Sequence, residues 1–220
     1  MSFYEKYVNS KFYHFSDGLL KVIFVNLLMI VTTLLGLVVV GLPVAIVTGV
    51  LTLKLVLNKG AIGTFNVYVS ILKKILKRSL KTILFFEVIL IVLLFNIFYF
   101  YAGLEPFSWY YFFSFMIMLL LFGATLIAFM HGLMISSLYE VNIKSLLKHS
   151  YLLTIGFSFR ALIWLIVMFM FIYVIILIPI LGLFFGLSGI SLINYLVLVK
   201  GYSKVESLNE SLDELLDEIY

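Results

Sequence analysis

Between Arg160 and Lys200 the chain runs thirty-nine residues without a single charged side chain. As one helix this stretch would be about 58 Å long at 1.5 Å per residue, nearly twice a hydrocarbon core of roughly 30 Å, so it must fold back on itself. Pro179 and Gly182 supply the break. Residues 22 to 57 pose the same problem at about 54 Å, and Gly41-Leu42-Pro43 marks the expected turn, because proline lacks an amide donor and disfavours helix in the residue before it. Further apolar runs at 82–100 and from the aromatic segment Tyr99–Tyr111 to Leu138 bring the expected number of spans to six.

The composition agrees: 64% hydrophobic, 12% charged and a mean hydropathy of +1.21, against about 45–50% apolar and 25% charged residues in soluble domains. The expected fold is all-α: a polytopic membrane bundle of six transmembrane helices at 22–200, after an N-terminal interfacial segment at 1–21 and before an acidic amphipathic tail at 201–220. Cysteine is absent, which excludes disulfides and thiolate metal or redox sites. A cleavable leader is not expected, because 21 residues precede the first apolar run and no small-residue cleavage site follows it.

With six spans drawn, all fifteen Lys and Arg residues fall on one side and the opposite connections carry only Glu105. The positive-inside rule then places both termini in the cytoplasm and the bundle in the cell membrane. The formal charge of +4 divides unevenly, because the last twenty residues hold six acidic side chains and only Lys204 against them. Phe3, Tyr4, Tyr7, Val8, Phe12 and Phe15, among Lys6, Lys11 and His14, suit an interfacial aromatic anchor.

Two basic segments face the inner leaflet. Phe65, Val69, Leu72, Leu76 and Leu80 recur at helical spacing beside Lys73, Lys74, Lys77, Arg78 and Lys81, which reads as an amphipathic helix on anionic inner-leaflet lipids. Glu140 to Leu153, with Lys144, Lys148 and His149, reads as a second. Lys73, Lys77 and Ser79 match Lys144, Lys148 and Ser150 at one offset of 71 residues, a weak echo that positive-inside constraints alone can produce.

Polar side chains interrupt the spans at Asn26, Lys54, Glu87, His131 and Asn194, each within about seven residues of the proposed inner end of its span, or roughly 10 Å. In one reading Glu87 and His131 form a proton- or ligand-linked pair in a cytoplasm-open cavity, with the two Asn amides supplying hydrogen bonds. In the other, Glu87 satisfies Lys54 or Lys81, His131 bridges helices as a neutral donor, and the Asn residues pack between helices. The pattern of helical phases leaves both open.

No catalytic, cofactor-binding or metal-ligating set is expected. His14, His131 and His149 lie in different elements without ligand spacing, and no HExxH, Walker loop or Gly-x-Ser-x-Gly elbow occurs. Gly182, Gly186 and Gly189 suit close packing within the bundle. In the tail, Ser207 and Glu210 read as a capping box, and Leu208, Leu212, Leu215 and Ile219 form an apolar stripe amid Glu210, Asp213, Glu214, Asp217 and Glu218. The acidic charge disfavours the anionic leaflet, so the stripe needs protein to cover it: this chain's own basic helices or a cytoplasmic or membrane partner.

Asn26-Leu27-Leu28, Pro43, Thr48-Gly49 and the run Leu72-Lys73-Lys74-Ile75-Leu76-Lys77-Arg78-Ser79 together resemble the YesL-like family of bacterial membrane proteins, over about residues 20 to 200. The resemblance implies a compact six-helix protein, mostly of Gram-positive bacteria, often encoded near carbohydrate uptake or degradation genes, with no established activity. The expected function is that of a non-catalytic accessory or scaffold component linked to carbohydrate uptake. A small-molecule transporter is the alternative. Nucleic acid is not an expected partner.

Overall fold

The computed structural model describes residues 11–58 and 63–219. The expected anchor residues Phe3, Tyr4, Lys6, Tyr7 and Val8, and the breaks at Lys59 and Gly60, lie outside these, as do the side chains of Lys11, His14, Leu215 and Ile219. Among the described residues the fold is all helix: α1 Lys11–Leu35, α2 Gly41–Asn58, α3 Thr64–Ala102, α4 Trp109–Leu138, α5 Ile143–Gly156, α6 Ser158–Leu177, α7 Pro179–Ile193 and α8 Glu206–Ile219. A π-helical turn, Asn194–Leu198, and a 3-10 turn, Val199–Lys204, join α7 to α8. Five helical stretches, within α1, α3, α4, α6 and α7 with its continuation to Tyr202, are long and apolar enough to cross a bilayer. The chain is a multi-pass helical membrane protein. Helix α2, apolar over Gly41–Leu57, is shorter.

Several boundaries differ from the sequence expectation for physical reasons. The turn between α1 and α2 is not Gly41-Leu42-Pro43, which forms the first turn of α2; it lies at Gly36–Val40, with Leu37 and Val38 in the left-handed region at φ 56° and 62°. Proline costs nothing there, since the first four amides of a helix have no partner within it. Gly36 and Gly41 touch, and a Cβ on either would overlap backbone. The basic helix and the span that follows it are one unbroken helix of 39 residues, α3; no Gly or Pro separates Lys81 from Thr82 to end it. Helix α1 likewise runs back without a break to Lys11. Helix α8 begins at Glu206, one residue before the expected cap Ser207, whose side chain lies outside those described. Pro179 breaks the long apolar run as expected, with Ile178 as the hinge between α6 and α7.

Helix α2 is the centre of the fold. Val44 to Val56 is buried throughout except at Lys54, with α1, α3 and α7 as its main neighbours. Gly49 permits the closest approach: a Cβ there would stand 2.5 Å from Met29 Sδ and 2.7 Å from Ser191 Oγ. By contrast α6 buries only Ala161 and Trp164, and α7 only Ser188 and Ser191. Their remaining apolar surface suits acyl chains.

Candidate functional site

The five intramembrane polar residues are not gathered into one cluster. Each of four is tied to a different partner. Asn26, fully buried on α1, donates through Nδ2 to Leu183 O at 2.7 Å and accepts from Ser188 N at 2.9 Å, so one amide satisfies two backbone groups of α7. Asn194, at the start of the π turn, accepts from Trp164 Nε1 at 2.8 Å and donates to Ile190 O at 3.0 Å. His131 Nδ1 meets the Tyr202 hydroxyl at 2.7 Å, and its Nε2 is buried without a hydrogen bond. Lys54 reaches Asp213 Oδ1 of α8 at 2.9 Å. Glu87 is half-buried on α3, and neither Lys54 nor Lys81 serves it as the sequence suggested: Lys54 is engaged by Asp213.

Asn194 and Tyr202 do line a common cavity, with Ile46, Val47, Val50, Met130 and Met134 among its walls, but its volume is about 10 Å³. That accommodates one water at most. His131 and Glu87 do not line it. Sequence reasoning missed Trp164 and Tyr202, which complete two of these contacts, and found Asp213 in the acidic tail without its pairing to Lys54. Only the polarity of Trp164 and Tyr202 within or beside apolar runs could have signalled them.

A larger opening lies along the basic part of α3. Lys74, Lys77, Arg78 and Lys81 form one wall of a groove of about 670 Å³, and Ser136, Tyr139, Glu140, Val141, Ile143 and Leu146 form the other. The groove exists because α4 ends at Leu138, leaving terminal carbonyls that the helix cannot satisfy; Arg78 Nη1 donates toward Ser137 O at 3.3 Å and Leu138 O at 3.5 Å. Beneath it a buried Ser136–Ser79 hydrogen bond of 2.9 Å locks α4 to α3. Lys73, Lys144 and Lys148 are exposed but do not line the groove. The structure therefore brings together four of the seven basic residues singled out in the sequence.

Of the tail stripe, Leu208 and Leu212 are buried at 8% and 1% exposure in the core shared with α2, α3 and α4. Tyr139 and Ser211 add a hydroxyl–hydroxyl contact. This half of the stripe is covered by the chain itself, and the cover comes from the bundle rather than from Lys73–Lys81 or Lys144–Lys148 alone. Among the described residues no group of three or more acidic or histidine side chains could hold a metal ion.

Comparison with known proteins identifies no relative. No family model matches the chain, and no curated protein or solved structure is significantly similar to it. The YesL-like resemblance rests on the residues quoted for it alone.

Proposed function

We propose that this protein is a non-catalytic accessory or scaffold component of a bacterial cell membrane, associated with carbohydrate uptake as the family resemblance implies, with both termini cytoplasmic and its basic segments on anionic inner-leaflet lipids. The observation that supports a scaffold over a transporter is the sealing of the polar layer: Asn26, Lys54, His131 and Asn194 are engaged within the chain, and the cavity at Asn194 holds one water at most. A translocation site needs room for a solute. One observation favours the transporter alternative, in that Glu87 lies within a span and has no hydrogen bond or ion pair within the described residues.

The two readings separate in a strain lacking the gene, on whichever carbon source it uses poorly. Glu87→Gln with His131→Ala should restore growth fully if the protein is a scaffold, provided the variant accumulates to the normal level. A folded variant that restores nothing would transfer the case to the transporter.

The orientation rests on the charge asymmetry, and the absence of native cysteine makes it directly measurable. Single cysteines at Ser70, Lys144 and Ser211 should resist an impermeant maleimide in intact cells, whereas one at Ser108 should react. The basic groove supplies the lipid contact in this reading. Each basic side chain near an anionic surface contributes about 1 kcal/mol, so Lys77→Glu with Lys81→Glu should lower the retention of phosphatidylglycerol by at least about tenfold, read by native mass spectrometry of lipid adducts. Phosphatidylcholine retention should not change.

A further inference from the structure

Six alternating crossings would place the α1–α2 turn, Gly36–Val40, on the same membrane face as the α3–α4 turn that follows Ala102. One hydrogen bond is incompatible with that arrangement. The Tyr68 hydroxyl donates to Thr32 Oγ1 at 3.0 Å; Thr32 is three residues from the end of α1, and Tyr68 is four residues from the start of α3. Ala102 stands 34 positions beyond Tyr68 on the same unbroken helix, a separation of about 51 Å at 1.5 Å per residue. The two side chains bridge only a small part of it. The tip of α1–α2 is therefore joined to the end of α3 opposite the one that carries the α3–α4 turn.

An inverted crossing, with the tip on the α3-start face and the rest of the hairpin running to the other, fails on chain length. The six steps from Asn58 to Thr64 reach roughly 20 Å when fully extended, less than a hydrocarbon core of about 30 Å. Both open ends and the tip of the hairpin belong near the same side of the bundle. Packing against α7 agrees. Asn26 meets Leu183 and Ser188, whereas Met29, closer to the tip, meets Ser191. Moving toward the tip thus leads away from the α6–α7 turn rather than toward it.

We infer that α1 and α2 form a hairpin embedded in one leaflet, with a tip that contacts acyl chains and never reaches the opposite surface, so that α3, α4, α6 and α7 alone cross the membrane. Two features of the tip identify its surroundings as hydrocarbon. Leu34, Leu35, Leu37, Val38 and Val39 are all exposed there, Leu37 at 84%, and residues 34–40 include no polar side chain. The α3–α4 turn, in contrast, presents Glu105, Ser108, Trp109 and Tyr110, a composition suited to headgroups. Irregular backbone is excluded from hydrocarbon unless its polar groups are satisfied. Here the amides of Gly36, Leu37, Val38, Val39, Gly41 and Leu42 each donate to a carbonyl within the hairpin, from Thr32 O to Val38 O.

The inference is independent of which face is cytoplasmic and of the scaffold reading. Single cysteines at Val38 and Ser108 test it in intact cells, in inside-out vesicles and, as nitroxide-labelled protein, in reconstituted bilayers. Val38 should escape an impermeant maleimide from both sides while Ser108 reacts from one, and the nitroxide at Val38 should collide with oxygen at least tenfold more readily than with a water-soluble nickel chelate. Reaction of Val38 from the same face as Ser108 would restore the six-crossing arrangement and overturn the proposal. Reaction from the other face, or free access of nickel, would place the tip in water and overturn it equally. A cysteine at Leu37 repeats the measurement if the Val38 variant does not accumulate.

Discussion

Asn26→Leu should lower the unfolding free energy by about 1 to 2 kcal/mol, because it removes both hydrogen bonds that a fully buried amide makes to Leu183 O and Ser188 N of α7. Both groups are far from bulk water, and the buried Ser188 and Ser191 beside them already show how closely the helices meet. Leucine also branches where the amide was flat. Hydrogen bonds between membrane helices average nearer 0.6 kcal/mol in double-mutant cycles, since the dissociated helices find other partners. Asn26 makes two such bonds from one fully buried side chain. The matched control is Asn96→Leu: Asn96 is half-buried and its Nδ2 donates at an exposed position to Val92 O of its own helix at 2.8 Å, so its loss should cost under about 0.5 kcal/mol. Steric-trapping unfolding of both variants in one detergent reads the difference directly. Equal effects would remove Asn26 from its place as the tie between α1 and α7.

Leu212→Asp should release the tail and leave the bundle folded. Burial of a leucine contributes roughly 1.5 to 3 kcal/mol, and a carboxylate cannot occupy a 1% exposed site in the apolar core without far greater cost. The chain has a cheaper response: α8 follows the last apolar helix through a short 3-10 turn and undocks, so the loss is bounded by the docking energy of one short helix. Limited proteolysis should then remove residues beyond about 205 at least tenfold faster, with the thermal transition of the bundle shifted only slightly. Asp213→Asn, which deletes the charge opposite Lys54, should do much less, because Asp213 is about half exposed and such ion pairs contribute about 0 to 1 kcal/mol. A photoreactive group at Leu212 should form adducts with this chain rather than another. Cross-links to a second protein in place of these would revive the stripe as a partner surface.

What the sequence made legible and what it concealed divide along physical lines. Helix content and the break at Pro179 follow from period and composition, which are local. The place of the first turn did not, because Pro43 is as acceptable inside the first turn of a helix as outside it, and the Gly36–Gly41 contact that decides the matter is a packing event. The span count was less secure still. Residues 22–57 have the length and apolarity of two crossings, and the inference that they make none rests on the pairing of Thr32 with Tyr68, side chains 36 positions apart. At the polar layer the sequence found the residues that must be satisfied but not the residues that satisfy them. Asn26 was visible as an amide in an apolar run; its partners are main-chain groups that every residue has.

The enclosure of α2 gives this membrane protein one helix to which the bilayer is almost irrelevant. The helices that cross must match the thickness of the surrounding lipid and respond to a change of membrane by tilting, and on their outer faces Leu, Ile, Val or Phe serve nearly alike. For α2 the selecting property is volume. Val44→Leu keeps its hydropathy and yet adds a methylene at a fully buried position outside the Asn194 cavity, while Thr48→Val changes polarity with almost no change of shape and leaves only Val44 O short of a side-chain donor. A hydropathy profile, which scores substitutions by their welcome in lipid, would rank these two in the wrong order.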